Sequence, residues 1–224
     1  MLGKIKEISK TAFGKLIFVV VFVISFLAVK ELKTQWFQSI DMQDASKRVA
    51  HEMEENIKSA QNQATKDRST IEVLQQESYK KTANALSSAS TVKEKLTVAS
   101  DLFFGAYFSN TRTRTDYCAS LGAPIKSFVN AYEQKHHQLF ISAKRIQILD
   151  FREHGIPYDL DKFYKLVLPS TEKMIAQDMK DAASALKISE QEVCQSMEQN
   201  SVEWVNEMDY RKRAPEIAQV LLRK

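Results

Sequence analysis

NIKSAQNQATKDRSTIEVLQQESYKK, residues 56–81, is polar and almost bare of large apolar side chains. It contains neither glycine nor proline, and none occurs anywhere from Lys15 to Phe104. A flexible linker is normally punctuated by one or the other. The spacing Met42, Ala45, Val49, Met53, Ile57, Ala60, Ala64, then Ile71 and Leu74, keeps one apolar stripe in step at threes and fours, the period of a helix. The stripe is thin, with smaller residues than the a and d positions of a long coiled coil require. The reading is a lightly packed stalk helix over 36–90. A bend near Asp67–Thr70, or a hinge there between two antiparallel helices, is the alternative.

Toward the N-terminus the character changes abruptly. LIFVVVFVISFLAV, Leu16–Val29, is apolar apart from Ser25. Counted from Thr11, it approaches the ~20 residues that carry a helix across a bilayer. Residues 1–29 hold Lys4, Lys6, Lys10 and Lys15 against Glu7, a net +3 out of the chain's +4. That bias places the N-terminus in the cytoplasm and everything after Lys30 outside. Trp36 and Phe37 suit the outer interface. A cleaved signal peptide needs small residues at −3 and −1, and a cut after Ala28 would put Phe26 at −3. An uncleaved anchor is therefore expected: a tail over 1–15, a transmembrane segment with its interface over 16–35, the stalk, and a helical bundle over 91–224.

Toward the C-terminus the signals are helical throughout. Thr91 with Glu94 and Ser189 with Glu192 are capping boxes. Phe103, Phe104, Tyr107 and Phe108 form two aromatic stripes at the end of the first bundle helix. NTRTRTDYCASLGAP, residues 110–124, reads as a loop carrying Arg112 and Arg114. Pro124 opens the strongest helix, with Phe128, Tyr132, His136 and Leu139 on one face, and Gly155 with Pro157 stops it. Pro169 kinks the next helix or begins a new one. No period of two persists, so the fold class is all-α: an N-terminal transmembrane helix continuing into a stalk, then an antiparallel bundle closed by one disulfide. That bond joins Cys118 to Cys194, the chain's two cysteines, both on the oxidising side of the span.

Chemical motifs are missing. There is no HExxH, no paired Cys-x-x-Cys, no acidic calcium loop, no G-x-S-x-G and no phosphate loop. Glu133 and His137 stand at helical spacing, but a third metal ligand is not evident. Basic charge is not concentrated on the bundle, which argues against nucleic acid. No enzyme, metal or cofactor is expected. The expectation is a single-pass protein of the bacterial inner membrane, held in the bilayer through residues 16–29, whose periplasmic bundle is an adaptor for an unidentified envelope protein. A homo-oligomer through the stalk is left open. The alternative is a sensor for a small ligand or lipid. In either case Phe103, Phe104, Tyr107, Phe108, Arg112 and Arg114 are the candidate ligand or partner surface.

Overall fold

The computed structural model describes residues 42–65 and 69–223, and these are all-α. The apolar segment Leu16–Val29 and the start of the stalk lie outside the described residues. No helix among the described residues is long and apolar enough to cross a membrane.

The stalk expected over 36–90 is divided. Helix α1 spans Met42–Gln63 and α2 spans Thr70–Ser88. Ser69 caps α2: its hydroxyl accepts from the Glu72 amide while the Glu72 carboxylate accepts from the Ser69 amide. This box satisfies two amide groups that a helix start leaves unpaired. Gln63 donates to Glu77, which a straight helix would hold roughly 21 Å apart, so the chain turns back on itself. Of the thin stripe, Met53, Ile57, Ala60 and Leu74 are buried. Met53, Ile57 and Ala60 of α1 meet Val73 and Leu74 of α2 and Met174 of α6 (Leu160–Leu186) in a small cluster apart from the main core. Lys173–Glu54 and Gln61–Gln177 tie α1 to α6 in the same sense.

Helix α3 (Val92–Phe108), capped by the Thr91–Glu94 box, runs antiparallel to α5 (Lys126–Glu153). Lys93–Glu153, Ser100 to the Ala143 carbonyl, and Tyr107–Glu133 mark the ladder. The loop expected at 110–124 is mostly helical. The chain passes from α3 through a π turn, Ser109–Thr113, into α4 (Arg114–Ser120). Within this polar run the side chains do not compete for turn geometry: Ser109, Asn110, Thr111 and Thr115 each donate to the carbonyl four residues back, as such residues do inside a helix. The true turn is short. Gly122 adopts φ +73°, and the Ala123 amide reaches back to the Cys118 carbonyl.

Helix α5 stops at Gly155, whose φ is +70°. Helix α6 is continuous through Pro169. Ser170 and Thr171, just after the proline, donate to the Val167 and Leu168 carbonyls. Lys187, left-handed at φ 56°, ends α6, with the Ile188 amide on the Ala183 carbonyl. Four shorter helices follow: α7 (Glu190–Gln199), α8 (Ser201–Glu207), α9 (Tyr210–Arg213) and α10 (Pro215–Leu222). The Ser189–Glu192 box caps α7. Helix α8 lies on α5, and α10 lies on both α3 and α5.

Candidate functional site

The aromatic end of α3 is core. Phe103, Phe104 and Phe108 are completely buried and Tyr107 nearly so. Phe104 stacks on Phe108 with ring centroids 5.5 Å apart and meets Phe140 and Phe163 edge-on, while Phe103 meets Tyr210 at 5.1 Å. Two adjacent aromatic stripes at a four-residue spacing cannot both face outward on a helix flanked by α5, α6 and α10. All four rings pack into the main core. Burial pushes the Tyr107 hydroxyl well above its usual range, and Glu133, which accepts its hydrogen bond, adds to the rise.

The two arginines separate. Arg114, on the first turn of α4, is buried, with one amine 2.5 Å from the carboxylate of Asp178 on α6. Its Nε donates to Asn110, and its other amine lies 3.0 Å from the Met179 sulfur. Burial pushes the Asp178 carboxyl upward against the pull of Arg114. Arg112 remains half-buried. It donates to Asp161 at 2.7 Å, and its guanidinium lies over the rings of Phe108 and Tyr164 at 5.2 and 4.9 Å. Neither side chain is held open for an anion: Arg114 neutralises a buried carboxylate, and Arg112 clamps the end of α6 to the aromatic core.

Cys118 and Cys194 form the expected disulfide, with both side chains buried. Tyr117–Glu190 and Gln191 to the Leu121 carbonyl reinforce the same junction. His136 is a buried linchpin. Its Nδ1 faces the Tyr132 carbonyl at 2.9 Å, and its Nε2 accepts the Tyr210 amide at 2.9 Å, which fixes a neutral ring protonated at Nδ1. His137 is exposed, and the described residues contain no cluster of His, Cys, Asp or Glu suited to a metal ion.

Two features escaped the sequence reading. The first is the outward face of α5, where Ile141 and Leu149 are half exposed among Arg145 and Arg152. Their spacing of eight was legible as a second stripe opposite the core. The second is the cleft beside α10, between Arg211 and Arg223; those two residues themselves belong to the basic amphipathic end of the sequence, where a contact with anionic lipid is legible. Comparison with known proteins found no matching family model, no similar curated protein and no similar solved structure.

Proposed function

We propose that the chain is a non-enzymatic, membrane-tethered interaction module. Residues 16–29 would hold it in a bacterial inner membrane, and the bundle would act on the periplasmic side as an adaptor for another envelope protein. The observation that carries this reading is the fate of the candidate ligand groups: Arg114 is spent on Asp178, Arg112 on Asp161, and the aromatic rings on one another. A sensor pocket built from those residues would need them unpaired and facing a void. What remains for recognition is the outside, where Ile141 and Leu149 stand among cations on α5. A large aliphatic side chain that stays in water gains its burial energy when a partner covers it. The disulfide is consistent with an oxidising compartment, and the basic residues before Leu16 supply the orientation.

Photo-crosslinking side chains placed in living cells at 141, 145 and 149 test the reading, with Lys180 and Gln195 as controls on other faces. Discrete adducts of one mass from α5 alone are expected. Adducts from no face, together with a small molecule retained by the purified protein in native mass spectrometry, would shift the reading to the sensor. A reporter enzyme that works only outside the cytoplasm, fused after Lys224, should be active.

A further inference from the structure

Helix α10 buries Ile217, Ala218 and Leu221 on the bundle. Its other side, with Arg211 before the helix and Arg223 after it, bounds an open cleft of about 340 Å³ lined by Arg211, Pro215, Ala218, Gln219, Leu222 and Arg223. The lining has a definite order, with a guanidinium at each end of an eight-residue helix and an apolar floor between them. Arg211, partly buried, lines one end of the cleft, and one of its amines donates to the Lys135 carbonyl at 2.9 Å. Arg223 is exposed, and Leu222 is 41% exposed, large for a leucine beside a packed helix. The carboxylate of α10, Glu216, does not line the cleft.

We propose that this cleft binds the phosphodiester headgroup of an anionic phospholipid, with the first acyl methylenes lying on Pro215 and Leu222, which are exposed. Guanidinium forks match phosphate oxygens in geometry as well as charge. The apolar floor adds affinity only for an anion that carries a hydrocarbon tail, which separates a lipid from free phosphate. Exposed Lys212 beside Arg211 raises the local positive potential that draws such a headgroup in. The proposal rests on the tethered reading above, which keeps the bundle beside a bilayer.

Calorimetric titration of the full chain in neutral maltoside micelles with dihexanoyl phosphatidylglycerol tests it, with protein-free micelles as the blank. The titration reads the cleft wherever the chain resides in the cell, so it can fail while the topology reporter succeeds, and the reverse. Saturable binding is expected, weakened about tenfold in Arg223→Gln, the loss of one charge-assisted hydrogen bond. Leu222→Ser should also weaken it, and Lys126→Gln, far along the sequence on α5, should leave it unchanged. Dihexanoyl phosphatidylcholine should give no saturable signal, and inorganic phosphate should bind at least about tenfold more weakly than the lipid. Equal affinity for phosphate, indifference to Arg223→Gln, or saturation by a glutamate-rich peptide without any by the lipid would each overturn the proposal.

Discussion

Arg114 and Asp178 meet at 2.5 Å with both side chains almost wholly excluded from water, joining the end of the π turn to the middle of α6. An isolated ion would not be tolerated there, so each residue is conditional on the other. The π turn inserts an extra residue between α3 and α4. Two positions apart on a helical path, Arg112 and Arg114 point to opposite sides, so that one guanidinium goes inward to Asp178 and the other outward over Tyr164. Such π segments are uncommon and occur mostly as single-turn bulges within α-helices.

Removing one partner should therefore be far worse than removing both. Asp178→Ala should cost about 3–5 kcal/mol, because it strands a buried guanidinium. The double variant Arg114→Met with Asp178→Leu should recover most of that loss. Urea unfolding followed by circular dichroism measures both. A single-variant loss below about 1 kcal/mol would mean that water reaches the pair.

Reduction of Cys118–Cys194 should loosen the bundle. The bond spans 76 positions of sequence, and the chain-entropy value for so long a loop is roughly 4 kcal/mol as an upper figure. The neighbouring Tyr117–Glu190 and Gln191–Leu121 contacts survive reduction, so the fold should persist with a lower melting temperature. For a chain of this size the drop should reach roughly 10 °C. Thermal melts with and without reductant, checked against Cys118→Ala with Cys194→Ala, decide it. Coincident melts would show the bond to be redundant.

Legibility followed the strength of local signals. The helical class, the disulfide and two capping boxes were readable because each rests on residue types at fixed spacing. The third box, Ser69 with Glu72, has the same spacing and marks the corner in the stalk. The corner is legible only as the alternative near Asp67–Thr70, because no glycine or proline marks the break. The loop at 110–124 misled for the opposite reason. Its serines, threonines and asparagine are typical of loops, yet here they bond to carbonyls one turn back, as such residues do inside a helix. The aromatic cluster was found correctly as a cluster, but sequence alone does not say which partners cover it. Arg114 could not be told from Arg112, since which of their two opposite faces is buried depends on the distant Asp178.

The α1–α2 hairpin should open before the rest. Its cluster of Met53, Ile57, Ala60, Val73, Leu74 and Met174 is separate from the main core, and its ion pairs, such as Lys58–Glu54, are solvent-exposed and contribute little. Regions with few buried apolar contacts exchange amide hydrogens through local opening. Amides of α1 should lose protection well before those of α3 and α5 in hydrogen-exchange mass spectrometry. Met174→Ala should accelerate α1 further at a cost of about 2–5 kcal/mol to its docking. Uniform protection across α1, α3 and α5 would mean that the hairpin belongs to the main cooperative unit.

Acid should weaken the junction between α5 and α9 through His136. Burial holds its imidazole down at about 4 from an ordinary 6.5, even though the Tyr132 carbonyl and the nearby Asp209 favour the charged form; Arg211 and Lys135 oppose it. Protonation also removes the Nε2 lone pair that accepts the Tyr210 amide. The unfolded histidine takes up its proton near pH 6.5 and the folded one only near pH 4. The neutral ring's contribution is therefore complete above about pH 6.5, drains away as pH falls toward 4, and levels off below that. A depression of this size corresponds to about 3 kcal/mol. Other carboxylates also titrate in this window, so the quantity to measure is the stability difference between the native sequence and His136→Gln. That advantage should be largest at pH 7.5 and shrink by about 3 kcal/mol by pH 4. A difference that stays flat across this range would show that His136 does not couple the junction to pH.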